Sequence, residues 1–218
     1  MEKVLQFLRE LSKNNNREWF EENRKWYQES REKVLFVTDV LVNEIRKFDP
    51  EIPVLNAEDC MFRIFRDVRF SNDKRPYKTN FGSFIAKDGR KSQNPGYYIH
   101  IEPGESFVGG GVYMPEAAPL KAIRQYIARF PEEFTEIINR PEFKTVYPEM
   151  YDHQLKTAPK GFPKDHEFMH LLRYKSFVFS AAVSDREVAG NLIENAVNAY
   201  KQLYKVNAFL YDALKEFL

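Results

Sequence analysis

Gly96-Tyr-Tyr-Ile-His-Ile-Glu-Pro-Gly-Glu-Ser-Phe-Val-Gly-Gly-Gly-Val-Tyr113 contains two extended runs, 96 to 102 and 106 to 113, separated by the turn pair Pro103-Gly104. Side chains alternate between the faces of a strand, so Tyr98, His100 and Glu102 share one face. The short separation predicts a hairpin and hence an antiparallel sheet. Two further strand-like runs precede it, at 61 to 66 and 80 to 87, with Asp88-Gly89 as a second turn pair. A late run, Ser176 to Val183, adds another candidate strand.

Helical spacing takes over on both sides of these runs. Val4, Leu5, Leu8 and Leu11 mark a first helix, and Asn15 with Glu18 resembles a capping box that starts a second. That second helix is expected to run through Trp19, Tyr27, Val34, Leu41, Ile45 and Phe48 to Pro50. Pro115 and Pro131 each open a helix, and the stretch from 141 to 165 reads as irregular. Ser184 reads as the N-cap of a final long helix carrying Val188, Leu192, Tyr200, Leu203, Leu210, Leu214 and Phe217. The order predicts an α+β fold: an antiparallel sheet covered by helices, with an N-terminal helical pair and a long C-terminal helix. With no repeat, linker or composition break, residues 1–218 read as one domain.

The chain has 218 residues, 43% hydrophobic and 15% aromatic, enough to bury a core. Thirty-three Lys and Arg against 32 Asp and Glu leave a formal charge of +1, which excludes a polycation or an acidic tail. The single Cys60 excludes an intrachain disulfide, and no run approaches 18 apolar residues. The expectation is a cytoplasmic protein without a membrane partner.

The charge is unevenly distributed. Residues 61 to 91 hold nine bases and three acids. In an unbroken strand Phe62, Ile64, Arg66, Val68 and Phe70 would share a face, placing Arg66 in an apolar row. A guanidinium stays charged, so burial there requires a carboxylate, carbonyls or an anionic ligand. Arg63, Arg66, Arg69, Lys74 and Lys78, with Tyr77 as hydroxyl donor, are therefore the candidate cradle for a phosphate or carboxylate. Asp67 and Asp73 are the candidate supports for the arginines; an internal ion-pair network that only pins a loop is the competing structural explanation.

Asn14-Asn15-x-x-x-Trp19-Phe20, Phe62-Arg-Ile-x-Arg66-Asp67-x-Arg69-Phe70-Ser-x-Asp73-Lys74-x-Pro76-Tyr77-Lys78 and Gly96-Tyr97-Tyr98-x-His100-Ile101-Glu102-Pro103 together resemble a conserved-hypothetical family, a domain of unknown function. Gly110-Gly111-x-Tyr113-x-Pro115, Pro159-Lys160-Gly161-Phe162 and Leu172-Arg173-x-Lys175-Ser176 extend the resemblance over nearly the full chain. It implies one domain and brings no catalytic residue, cofactor or substrate with it.

Four weaker signals remain. His100 and Glu102 form a workable proton-transfer pair, the candidate catalytic residues, although a half-exposed sheet face has the same pattern. Gly109-Gly110-Gly111 lacks any phosphate-loop context, and a bulge or tight turn is the expected explanation. His166-Glu167-Phe168-Met169-His170 matches H-E-x-x-H, a remote zinc-hydrolase reading with Glu194 as a third ligand, but Pro163 leaves little room for the required helix. Trp19, Asn23 and Tyr27 fall on one helical stripe, either as core or as a platform for a nucleic acid. An anionic small molecule is thus the leading partner; single-stranded nucleic acid or an acidic protein is the alternative. Whether a cofactor is used is left open by the sequence.

Overall fold

The computed structural model of the protein describes residues 1–69 and 72–217. Helices α1 (Glu2–Lys13), α2 (Arg17–Glu22), α3 (Arg24–Ile45) and α4 (Ala57–Cys60) lead into β1 (Phe81–Ile85). After a 3-10 turn at Gly89–Lys91 come β2 (Gly96–Ile101) and β3 (Phe107–Val112). The chain continues through α5 (Ala117–Arg129), α6 (Pro131–Asn139), α7 (Pro141–Val146) and α8 (Met169–Leu172). It closes with β4 (Phe177–Ala182), α9 (Asp185–Gly190) and α10 (Leu192–Phe217). The strands form one antiparallel sheet in the order β1-β2-β3-β4, so the fold is α+β as the sequence indicates.

The expected hairpin is β2–β3, with Gly96 opposite Gly111 and His100 opposite Phe107. One sheet face carries Phe81, Tyr97, Ile99, Ile101, Val108, Phe177 and Phe179, all buried. Helix α10 lies against β3 on this face, and α3 against β1. Two hydrogen bonds fix α10 across the hairpin: Tyr200 Oη donates to the Tyr98 carbonyl at 2.9 Å, and Asn207 Nδ2 donates to the Gly96 carbonyl at 3.1 Å. Tyr97 Oη donates at 2.7 Å to the Asp49 carboxylate, which burial pushes above its ordinary range.

The three glycines of β3 lie inside the paired ladder, with no break in register, rather than in the expected bulge or turn. They permit close approach. A Cβ on Gly110 would lie 2.1 Å from the Gly96 carbonyl oxygen and 2.7 Å from Leu203 Cδ2 of α10. Gly111 in addition has φ +109, a conformation that side chains disfavour.

Residues 61 to 66 depart from expectation. They make only isolated bridges, Met61 to Ser83 and Phe65 to Tyr77. Phe62 N donates to the Gly82 carbonyl, after which the segment turns to the arm before β1: Lys78 N donates to Ile64 and Arg66 N to Pro76. Pro76 has no N–H to return, so the ladder stops there. In the proposed apolar row Ile64 is buried and Arg66 is partly exposed, while Phe70 lies outside the described residues.

The helix starts also shift. Asn16, not Asn15, caps α2 by accepting from Trp19 N at 2.9 Å. The expected second helix breaks at Asn23, whose backbone N–H and side-chain amide both donate to the Trp19 carbonyl. Asn side chains compete with the helical ladder in this way. Ser184 and Glu187 do form a capping box, but the helix they start ends at Gly190, and α10 begins after Asn191. No helix among the described residues is long and apolar enough to cross a membrane.

Gly110→Ala is expected to destabilise the protein by about 3 kcal/mol, because the colliding atom is backbone and cannot rotate away. Gly190→Ala, where the added Cβ meets nothing within 4 Å in a helix, should be neutral or stabilise by up to about 1 kcal/mol. Denaturant unfolding of the pair checks both.

Candidate functional site

The basic segment is an arm folded against β1 and the N-terminal helices. Asn15 holds it: its side-chain amide donates to the Tyr77 carbonyl at 3.0 Å and accepts from the Tyr77 N–H at 3.1 Å. The Tyr77 ring is buried and stacks on Phe20, centroids 4.0 Å apart and planes 12° from parallel. Tyr77 is thus a packing residue of the arm, and burial raises its phenol pKa.

Two D-x-R triplets organise the exposed part. Asp67 accepts from the backbone N–H of Arg69 at 3.2 Å and from its guanidinium at 2.7 and 3.0 Å. Asp73 does the same for Arg75, with a backbone bond of 3.0 Å and an ion pair at 2.7 Å. Asp73 also pairs with Arg66. Arg75 and Arg66 together hold the Asp73 carboxyl well below the usual carboxylate range, and Arg69 lowers that of Asp67. Lys74 Nζ donates to the Val68 carbonyl at 3.1 Å. Arg66, Arg69 and Lys74 therefore have protein partners, and the aspartates contact the arginines.

Arg63 and Lys78 are placed differently. They line an open cleft of about 580 Å³ with Arg31, Arg90, Lys91, Glu58 and the rings of Tyr27, Phe62 and Phe65. Arg31 pairs with Glu58, and Arg90 donates to the Glu58 carbonyl at 2.7 Å. Lys78 Nζ sits 5.5 Å from the centre of the Phe62 ring, a cation–π contact. Burial, then the charges of Arg63 and Arg66, lower the Lys78 pKa. Lys78 also borders a smaller cleft of about 170 Å³, shared with Arg66, Arg75, Tyr77, Thr79 and Asn80.

On the face of β2 away from α10, the expected pair is in contact: His100 Nε2 lies 2.9 Å from Glu102 Oε2. A carboxylate only accepts, so Nε2 carries a hydrogen toward Glu102, while Nδ1 lies 3.0 Å from Tyr98 Oη. Thr79 Oγ1 donates to Glu102 at 2.5 Å, and the Asn80 amide nitrogen is 3.0 Å from His100 Nε2. The imidazole stacks on Phe107, with centroids 4.7 Å apart. Burial and Glu102 push the Tyr98 phenol up to about 12, so it stays protonated at neutral pH. The chain Tyr98–His100–Glu102–Thr79 orients the imidazole ring and meets the small cleft through Thr79 and Asn80.

Arg31, Arg75, Arg90, Lys91, Thr79, Asn80 and Tyr98 were not among the residues singled out from sequence for these roles. Arg75, Arg90 and Lys91 belong to the nine-base segment, so the charge count held their signal. Arg31 lies on α3 and joins the cleft only through folding. The H-E-x-x-H stretch does not form one helical face: His166 Nδ1 accepts from Phe168 N within a turn, and α8 starts at Met169. No group of three metal-ligating side chains occurs among the described residues. Trp19 and Tyr27 both pack on Phe7 at ring distances of 6.0 Å, as core residues do.

These features define an α+β protein with an aromatic-walled basic cleft beside an oriented imidazole. The chain belongs to the family described as Conserved hypothetical protein (DUF2461), whose model matches residues 3–209. Comparison with curated proteins and with solved structures gives no match.

Asn15→Ala should cost about 2 kcal/mol, because it leaves two backbone groups of Tyr77 without their partner. Denaturant unfolding measures the loss. A cost below about 0.5 kcal/mol would show that Asn15 does not hold the arm.

Proposed function

We propose that the protein binds a phosphorylated or carboxylated small molecule in the cleft formed by Arg31, Arg63, Lys78, Arg90 and Lys91. One observation carries this reading: five cationic side chains surround a single carboxylate, Glu58. Arg31 engages that carboxylate. Among the described residues, no side chain or carbonyl accepts a hydrogen bond from Arg63, Lys78 or Lys91. A partly desolvated cluster of like charges repels itself, and an anion removes that repulsion. A guanidinium fork such as that of Arg63 suits a phosphate or carboxylate bidentately.

Arg66, Arg69 and Lys74, with Asp67 and Asp73, shape the arm around the cleft; Tyr77 anchors it. His100 is the proposed proton carrier if the ligand is turned over, with Glu102 and Tyr98 holding its ring in place. The concave cleft favours a small ligand over an extended strand of nucleic acid. Cys60 is buried and unpaired, with its thiol pushed up to about 11, which suits a reducing, cytoplasmic setting.

Calorimetric titration with inorganic phosphate, sugar phosphates and di- and tricarboxylates tests the reading. Arg63→Gln and Lys78→Gln should each weaken the best ligand about tenfold or more, given about 1.5 to 3 kcal/mol for a charge-assisted hydrogen bond. Unchanged affinity in both folded variants would overturn it.

The pH dependence has a defined sign. Lys78 has a lowered pKa in the free protein, and a bound anion favours its charged form, so binding takes up a proton in the window between the free and bound values. Affinity should be level below the free-state value and fall as pH rises through it, beneath the ordinary lysine value of 10.5. In Lys78→Gln this part of the fall should disappear.

A further inference from the structure

The wall of the cleft has a feature that charge alone does not need. Phe65 lines it with 44% of its surface exposed, although the residue is a large apolar ring. Its position is fixed from behind by buried aromatics. Phe65 meets Phe20 edge-on at 5.8 Å and 62°, and Tyr77 at 5.5 Å and 57°, where Phe20 and Tyr77 themselves stack. The isolated bridge between Phe65 and Tyr77 fixes the backbone as well. Phe62, in the same cleft, already has the Lys78 ammonium over its ring; among the described residues no cation sits over Phe65. An exposed, pre-oriented ring costs little entropy to use as a stacking wall, and every planar π-system can stack on it.

We propose that the ligand of the basic cleft carries a planar ring next to its anionic group, and that this ring stacks on Phe65 while Arg63 and Lys78 hold the anion. The inference rests on the reading of the cleft as an anion site. Arg63 and Phe65 alternate along one short segment with only Ile64 between them, and both line the cleft, so one ligand can meet both. The cleft volume, about 580 Å³, falls within the range of ordinary small-ligand sites and accommodates a mononucleotide-sized molecule. The class is therefore an aromatic or heteroaromatic phosphate or carboxylate, with nucleoside monophosphates as its largest probes.

The test compares matched pairs by calorimetric titration of the full chain: phenyl phosphate against methyl phosphate, and adenosine and uridine monophosphates against ribose 5-phosphate. The ring-bearing member should bind about tenfold more tightly, the scale of one aromatic stack. Phe65→Leu, which keeps an apolar side chain at a half-exposed position, should erase that gap and leave the ring-free phosphates unchanged; a thermal melt verifies its fold. Arg63→Gln should weaken both members of each pair equally. Equal affinity within each pair, or a loss in Phe65→Leu shared by both members, overturns the ring while leaving the anion site standing. Failure of every phosphate and carboxylate to bind overturns both.

Discussion

The close approach of β3 to α10 is the contact on which the rest of the molecule depends. Three successive glycines remove the side chains that would hold β3 away from its neighbours, and Leu203 fills the space at Gly110. With α10 against that face, Tyr200 and Asn207 can reach the carbonyls of Tyr98 and Gly96. The hairpin is therefore clamped by a helix on this side. Its other side keeps Tyr98, His100 and Phe107 partly accessible, and there polar groups can be oriented without being sealed in the core. Burying hydrophobic area on one face and leaving a usable face opposite is what antiparallel sheets allow.

A second constraint is electrostatic. Nine bases within residues 61 to 91 must be arranged so that the arm can fold at all. The two aspartates that lie in its exposed part, Asp67 and Asp73, engage Arg69, Arg75 and Arg66. These pairs are largely in contact with water, so each adds little stability and mainly fixes conformation. What they leave is an unequal division of charge. The arginines near the aspartates are paired with them, while Arg63 and Lys78, on the side facing α3 and the 3-10 turn, join three more cations around Glu58. Lys78, lowered in pKa by burial and by two arginines, registers that concentration of charge.

The relation between pattern and place is clearest at Asn15 and Arg66. Asn15 resembled a helix cap because Asn accepts from free first-turn amides, but its neighbour Asn16 has the same chemistry and takes the position. Asn15 is then available for the Tyr77 backbone, 62 residues away. Local pattern cannot choose between two adjacent asparagines; the tertiary position of the arm does. Arg66 was conspicuous as a charge in a nominally apolar row, and its need for a partner was legible. Whether that partner was Asp73 or an external anion was not, because the alternation assumed a strand that Pro76 interrupts.

The sequence by itself determined the α+β class, the β2–β3 hairpin, the N-cap at Ser184, the excess of bases before β2, and the His100–Glu102 pair. Each is written in contacts between residues near one another in the chain, where periodicity, turn chemistry and strand alternation act. Only the tertiary structure decided which bases share a cleft, which are neutralised by carboxylates, and where long helices break. Arg31 on α3, Arg63 on the arm and Arg90 in the 3-10 turn come together across 59 residues of chain. Coulomb interaction depends on distance in space, and no spacing rule along the sequence encodes that distance.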